Sequence, residues 1–150
     1  MEIKFTKEQY ENLIKLVYLG NWMVNAIRGG AENEVRVKKY DDMEKYVFSF
    51  AKDFGLDNFV EYDEEHKEYF ATRELEEETD IAQYIQDYDE NAFWDELFYR
   101  ASDRDFERAY SFKEISKMSM HERFEKEEPF RKKWGDELYE HGIERLEIKE

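Results

Sequence analysis

The sequence predicts an all-α fold, a single compact domain spanning residues 1–150 with about five to seven helices and a very short two-stranded element formed by the termini. Three observations lead to this prediction. Apolar residues recur at helical spacing, helix-capping residues precede those segments, and one proline and six glycines leave few break points. A chain of 150 residues is the size of one domain and buries enough surface to fold without a metal or a disulfide.

The first predicted helix follows a capping box from Thr6 to Gln9, in which the threonine hydroxyl accepts from the helix and the glutamine reaches back. Residues 16–27 are apolar on more than one face. Because a helix that is apolar all round is normally buried, we expect this segment to be the central helix of the fold. Gly29 and Gly30 are expected to end it, since glycine tolerates the left-handed cap conformation.

A second helix is predicted from a start signal at residues 41–44, followed by apolar residues at helical spacing from Met43 to Phe54. Gly55 is placed to cap its end. The stretch from Leu56 to Tyr69 is acidic and has no regular spacing, so we expect it to be irregular.

Two helices are predicted in the middle of the chain. Thr72 or Thr79 begins the first, whose apolar face includes Tyr84 and Tyr88 as expected core residues. A separate helix is expected to begin near Asp89.

The C-terminal part of the chain carries two more capping boxes, which begin at Ser111 and Ser119. Pro129 suits the first turn of a helix and not its middle. We therefore expect a break near Glu128 and a last helix over residues 130–141.

Gly142 is expected to close the last helix, and the tail after it alternates weakly between apolar and polar residues. We expect residues 143–148 to pair as a short strand with residues 3–5, which gives the element formed by the termini.

Negative charge is concentrated in the middle of the chain. The net charge is −16, and between Asp57 and Glu96 there are 16 acidic residues against only Lys67 and Arg73. Like charges at this density repel and destabilise the compact state. They indicate either a solvated surface that serves solubility and helix starts, or a binding face for a basic partner.

The function that the sequence favours is that of a protein-binding module whose acidic face engages a basic protein partner. Aromatic residues among the acids supply contact area at low entropic cost, while the acids steer the partner. A nucleic-acid mimic and an immunity-type inhibitor are two forms of this hypothesis. The candidate partner-binding residues are Asp63, Glu64, Glu65, Glu68, Tyr69, Glu76, Glu77, Glu78, Asp80, Asp87, Asp89 and Glu90.

Basic residues cluster before the second helix. They are candidates either for counter-charge within the chain or for one half of a self-association contact, and they are Arg28, Arg36, Lys38 and Lys39.

Two alternatives to the binding module stay open. One is an enzyme with a carboxylate or metal site among the acids, and the other is an accessory domain whose charge serves only solubility. The chain has no cysteine, no glycine-rich phosphate-binding loop and no nucleophile elbow. The sequence therefore predicts no enzyme, no catalytic residue and no cofactor.

No metal site is predicted either. Residues 87–98 begin like a calcium-binding loop, but Ala92 stands where the loop needs glycine and Phe98 where it needs a bidentate glutamate. The three histidines do not form a metal-binding motif.

The sequence predicts a cytoplasmic protein that contacts neither membrane nor nucleic acid directly. Its most apolar run, residues 13–27, is too short and too polar to span a bilayer, and no signal-peptide pattern begins the chain. A net charge of −16 is repelled by the phosphate backbone.

Overall fold

The computed structural model describes residues 2–28 and 35–147 of the chain. Over these residues the fold is mostly helical, with six helices and one two-stranded antiparallel sheet, which confirms the predicted fold class. The elements in chain order are α1 (Lys7–Asn25), α2 (Lys38–Phe48), a 3-10 helix (Ala51–Phe54), β1 (Val60–Asp63), β2 (Glu68–Ala71), α3 (Arg73–Glu77), α4 (Ile81–Ala109), α5 (Phe112–Ile115) and α6 (Met120–His141).

Backbone contacts divide the chain into two compact units, Met1–Asp87 and Tyr88–Glu150. The first turns of α4 belong to the first unit and the rest of this helix to the second. The single domain remains a prediction.

The core of the first unit lies between α1, α2 and the hairpin. Tyr10 of α1 donates a hydrogen bond to the carbonyl of Val47, and its ring stacks on Phe54 with centroids 4.0 Å apart. These contacts join α1 to the segment that ends α2. The buried apolar residues of this core are Tyr10, Ile14, Val47, Phe48, Ala51, Leu56, Phe59, Val60, Leu75 and Ile81.

Helix α1 begins at the predicted capping box, in which the Thr6 hydroxyl accepts from the amide of Gln9 at 3.2 Å. The prediction that its apolar stretch is buried all round is wrong. Only one face packs on the core, while Leu16 and Met23 on another face are exposed. The helix ends at Asn25, and the predicted end at Gly29 and Gly30 lies outside the described residues.

Helix α2 differs from the prediction at both ends. It begins at Lys38, before the expected start at residues 41–44, because Asp41 bonds to Arg36 and Asn21 and caps no helix. It ends at Phe48, and a 3-10 helix continues the segment as far as Gly55. Gly55 adopts the left-handed conformation with φ of 65°, as its predicted capping role requires.

The stretch from Leu56 to Tyr69 was expected to be irregular, and this is wrong because it contains most of a β-hairpin. Strands β1 and β2 pair antiparallel, with Val60 opposite Ala71 and Asp63 opposite Glu68. The predicted pairing of the termini is also wrong over the described residues. Residues 2–6 and 143–147 form no strand, since the local alternation in the tail is too weak to make one.

Helix α4 is continuous, so the predicted separate start near Asp89 is wrong. No glycine or proline interrupts residues 81–109, and the acids there lie on exposed helical positions except Asp105, which is partly buried. Thr72 and Thr79 each act at a helix start, since Thr72 caps α3 and the Thr79 hydroxyl accepts from the amide of Ile81. Tyr84 and Tyr88, expected in the core, are more than half exposed.

The second unit is built from the rest of α4 together with α5 and α6. Ser111 and Ser119 cap α5 and α6. The predicted capping box is complete at Ser111 and Glu114, whereas at Ser119 the hydroxyl accepts from the amide of Glu122 and the carboxylate of Glu122 accepts from Lys126. The predicted break near Glu128 is wrong, because α6 runs through Pro129 to its cap at Gly142.

Candidate functional site

The tip of the hairpin is held together by Asp63. Its carboxylate accepts from the backbone amides of Glu65 at 2.7 Å and His66 at 2.9 Å, and it lies 2.9 Å from the Nδ1 atom of His66. These hydrogen bonds lower the pKa of Asp63. Lys67 completes the turn with φ of 56°. Asp63 therefore orders the turn, while the neighbouring carboxylates of Glu64 and Glu65 are exposed.

The two faces of the hairpin differ in character. Val60 is buried, and its cross-strand partner Ala71 packs against the core, so this face of the sheet points inward. Successive residues of a strand point to opposite faces. Glu61 and Phe70, which are directly opposite each other, therefore lie on the outer face, where Phe70 is 40% exposed.

Two of the candidate residues on β2 make contacts within the fold. Glu68 forms an ion pair of 2.7 Å with Lys45 of α2. Tyr69 packs against the core, and its ring lies 4.9 Å from that of Tyr62. Glu68 and Tyr69 thus hold the hairpin against α2 and the core of the first unit.

The glutamates of α3 look alike in sequence but differ in their contacts. Glu76 accepts a hydrogen bond of 3.0 Å from the hydroxyl of Tyr18, and Glu77 forms an ion pair of 2.6 Å with Arg73. Glu78 is exposed at the C-terminal cap. The three consecutive glutamates, which in sequence appear to form one solvated patch, therefore include Glu76, whose hydrogen bond links α3 to α1.

Two further candidates lie on either side of the start of α4. Asp80 forms an ion pair of 3.1 Å with Lys15, which lowers the pKa of the aspartate. Asp87 accepts a hydrogen bond of 2.7 Å from Gln83, one turn earlier.

The last two candidates, Asp89 and Glu90, are exposed on α4 in the second unit. Residues 87–98 are helical throughout, so the segment that begins like a calcium loop does not have the conformation of one. Among the described residues, no three acidic or histidine side chains are grouped so that they could hold a metal ion.

Two residues of the basic cluster, Arg36 and Lys38, form ion pairs with aspartates of α2, while Arg28 donates a hydrogen bond to the carbonyl of Val24. Arg36 forms an ion pair of 2.5 Å with Asp41, and Lys38 forms one of 2.5 Å with Asp42. The hydrogen bond from Arg36 to Asp41 raises the pKa of Arg36, and the hydrogen bond from Lys38 to Asp42 raises the pKa of Lys38. The acids of the hairpin tip are therefore not neutralised by these two cations.

A small polar cavity of about 160 Å³ lies beside α1 and α2. Asn25 is buried there, where its side-chain oxygen accepts from the amide of Val37 at 2.8 Å and its nitrogen donates to Asn21 at 2.7 Å. Burial raises the pKa of Glu44, which lines the cavity, to about 7. Sequence reasoning missed this network, because the two asparagines appeared there only as polar interruptions of an apolar run.

The second unit has an open groove that sequence reasoning also missed. Its volume is about 420 Å³, and its lining residues are Asp103, Phe106, Glu107, Tyr110, Phe112, Ile115 and Arg123. Arg123 is bound to the buried carboxylate of Glu127 at 2.6 Å, and Arg131 binds the same carboxylate at 2.7 Å. The signal available in the sequence was that Arg123, Glu127 and Arg131 follow one another at intervals of four residues, which places them on one face of a helix.

Comparison with protein-family models, with curated proteins and with solved structures gave no match for this chain. No described helix is both long enough and apolar enough to cross a membrane.

Proposed function

We propose that this protein is a protein-binding module that engages a basic partner through the outer face and tip of the β-hairpin. We call this surface the acidic hairpin face and define it by Glu61, Glu64, Glu65 and Phe70. The observation that supports the proposal most directly is the position of Phe70, an exposed aromatic ring directly across the sheet from an exposed carboxylate.

The aromatic ring supplies the apolar part of such a contact. An isolated exposed aromatic residue is common on proteins and needs no explanation. Phe70 differs because the exposed Glu61 stands directly opposite it across the sheet, which favours a basic segment there. The ring of His66 in the turn lies 6.4 Å from the ring of Phe70. Aromatic anchors surrounded by a polar rim are typical of the residues that dominate binding energy.

The carboxylates supply the electrostatic part. Glu61, Glu64 and Glu65 are exposed, and no basic group lies within ion-pair distance of them among the described residues. Glu68 and Glu77, by contrast, are already paired with Lys45 and Arg73. Carboxylates without a counter-charge in the fold are the ones that raise the encounter rate with a basic partner.

The turn presents these groups in a fixed arrangement. Asp63 holds two turn amides and the ring of His66, and Glu68 ties the start of β2 to Lys45. A surface that is ordered before binding loses less conformational entropy when the partner docks. Nucleic-acid mimicry and immunity-type inhibition are two roles that such a surface would serve.

Affinity capture with three baits tests the proposal. The baits are the wild type, the hairpin variant Glu61→Lys/Glu64→Lys/Glu65→Lys, and the control variant Glu128→Lys/Glu140→Lys/Glu144→Lys. Both variants change the net charge equally, and all six positions are exposed. Exposed substitutions normally cost within about 0.5 kcal/mol each, and circular dichroism checks that both variants fold.

We expect the wild type and the control to retain the same basic protein and the hairpin variant to lose it. Equal loss from both variants would mean that bulk charge is responsible, which is the solubility alternative. Capture of a small molecule or turnover of a substrate with no protein partner would favour the enzyme alternative and contradict the proposal.

A further inference from the structure

The open groove of the second unit, which we call the aromatic groove, is built by three consecutive helices. Phe106 lies near the end of α4 and Tyr110 directly after it, while Phe112 and Ile115 belong to α5. The capping box at Ser111 fixes the turn between these two helices, and α6 supplies the third wall. The volume of about 420 Å³ is in the range of small-molecule sites.

Three aromatic rings line the groove at different depths. Phe106 is 2% exposed and forms its floor, and its ring lies 5.1 Å from that of the half-buried Tyr110. Phe112 is 86% exposed and stands at the rim. The groove therefore offers aromatic surface both to the bottom and to the side of a molecule that enters it.

Two carboxylates accompany these rings. Asp103 and Glu107 are exposed, line the groove and lie four residues apart on α4, which places them on one face of the helix. Among the described residues, no basic side chain lies within 4.0 Å of either carboxylate, since the adjacent Arg104 and Arg108 pair with Asp105. Both negative charges are therefore available to a ligand.

The basic residue in the groove lining, Arg123, does not cancel these charges. Its guanidinium is held by Glu127, which Arg131 also binds, so the three groups together carry one excess positive charge. The hydrogen bond to Glu127 is the main reason that the pKa of Arg123 is raised, and the charges of Asp103 and Glu107 add to it. With two carboxylates against one excess positive charge, the groove is net negative.

Aromatic rings and carboxylates together suit an organic cation. The face of an aromatic ring attracts ammonium groups, and carboxylates add direct charge attraction. The same cluster already shows this contact within the fold, because Nζ of Lys126 lies 5.2 Å from the centre of the Tyr110 ring. Calcium and magnesium ions take about six or more oxygen ligands and gain little from aromatic rings, so two carboxylates do not suit them.

We propose that the aromatic groove binds a small organic ammonium ion, whose apolar groups lie against the three rings and whose charge faces Asp103 and Glu107. The size of the groove favours a small molecule over a helical partner. A helix with its side chains is about 10 Å across, so a volume of about 420 Å³ holds roughly one turn of it. The two carboxylates repel an anion, and the guanidinium that could bind one is already engaged with Glu127.

Nuclear magnetic resonance titration of the full, isotope-labelled chain tests the proposal with three probes that share one ring. They are benzyltrimethylammonium, the neutral benzyl alcohol and the anionic phenylacetate. Sodium chloride at about 0.15 M screens the general attraction of a chain with a net charge of −16 for any cation. We expect benzyltrimethylammonium to bind with a dissociation constant of about 1 mM or tighter and to shift the backbone amides of residues 103–115. The other two probes should bind at least about fivefold more weakly.

A charge variant tests the role of the carboxylates. Asp103→Asn/Glu107→Gln should weaken the binding of benzyltrimethylammonium by about tenfold or more. The control Asp89→Asn/Glu128→Gln removes the same two charges from exposed positions outside the groove and should change the dissociation constant by less than about twofold. Far-UV circular dichroism verifies that both variants are folded.

A ring variant tests the aromatic wall. Phe112→Ala should weaken binding by about threefold or more, and its fold should be retained because the ring is almost fully exposed. The control Tyr139→Ala removes a ring that is 93% exposed outside the groove and should have no effect.

Three results would overturn the proposal. One is that residues 103–115 show no shifts, another is that phenylacetate or benzyl alcohol binds as tightly as the cation, and the third is equal weakening by the two charge variants. Because the groove lies in the second unit and shares no residue with the acidic hairpin face, none of these results would bear on the proposed function.

Discussion

The indole Nε1 atom of Trp134 donates a hydrogen bond of 2.9 Å to the carboxylate of Asp105, which connects α6 to α4 within the second unit. Trp134 is 8% exposed, so its donor has little access to water. Asp105 also lies 2.9 Å from Arg104. Burial opposes ionisation of this carboxyl, but the hydrogen bonds from Trp134 and Arg104 outweigh it and lower the pKa of Asp105.

Removing this carboxylate should destabilise the second unit. We expect Asp105→Ala to lower the free energy of unfolding by about 2 kcal/mol, because it leaves a buried indole donor without an acceptor. Urea denaturation measures the change. Asp136→Ala is the control, since it removes an exposed ion pair with Lys132 and should cost less than about 1 kcal/mol.

A double-mutant cycle with Trp134→Phe separates the hydrogen bond from the packing of the ring. The phenyl ring keeps most of the buried area but lacks the donor. A coupling of about 1 kcal/mol or more between Asp105→Ala and Trp134→Phe is expected. Additive effects of the two substitutions would show that this hydrogen bond does not stabilise the fold.

Glu44 should make the stability of the chain fall as pH rises towards neutrality. Burial raises its pKa from 4.5 to about 7, so the folded chain holds this proton at pH values where the unfolded chain has lost it. The stabilisation of the folded chain by this bound proton is therefore fully present below about pH 4.5 and is lost as the pH rises through about 7.

Glu44→Gln should remove this dependence, because the amide stays neutral at every pH. At pH 8 we expect the variant to be more stable than the wild type by on the order of 2 kcal/mol, and at pH 4 the two should be nearly equal. Thermal unfolding at the two pH values measures the difference. The exposed Glu78→Gln should show no such change, and equal effects of both variants would contradict the assignment to Glu44.

Pro129 should weaken α6. It lies inside the helix, where proline supplies no amide for the carbonyl four residues earlier, that of Glu125. We expect Pro129→Ala to raise the free energy of unfolding by about 1 to 3 kcal/mol, because it restores the hydrogen bond and improves helix propensity. Calorimetry measures the change in melting temperature. A lower melting temperature would indicate that the ring of Pro129 contributes packing that the alanine loses.

Local signals in the sequence predicted the starts of three helices, α1, α5 and α6. Thr6, Ser111 and Ser119 cap helices in the structure, because a capping hydrogen bond depends on residues within one turn. Features that depend on distant contacts were not predictable in this way. The hairpin turns through Lys67 in a left-handed conformation at a position without glycine. Asp63, which binds two amides of the turn, is one of many acidic residues in this stretch, so its role in a turn could not be singled out from the sequence.

In the candidate site too, contacts between residues that are distant in sequence could not be predicted. Sequence position made Glu76, Glu77 and Glu78 appear to be one patch, but the hydroxyl that binds Glu76 belongs to Tyr18, 58 residues away. The two faces of the hairpin follow from strand pairing, which places Phe70 opposite Glu61. Composition indicated an acidic surface, and only the fold separates the paired carboxylates from the unpaired ones.

The most direct test of the acidic hairpin face is the dissociation constant of the purified complex with the captured basic protein, measured at low salt for the wild type, the hairpin variant and the control. We predict that Glu61→Lys/Glu64→Lys/Glu65→Lys weakens binding by about tenfold or more, mainly through slower association, while Glu128→Lys/Glu140→Lys/Glu144→Lys leaves it within about twofold. An unchanged dissociation constant for the hairpin variant, or an equal loss in the control, would contradict the proposed function.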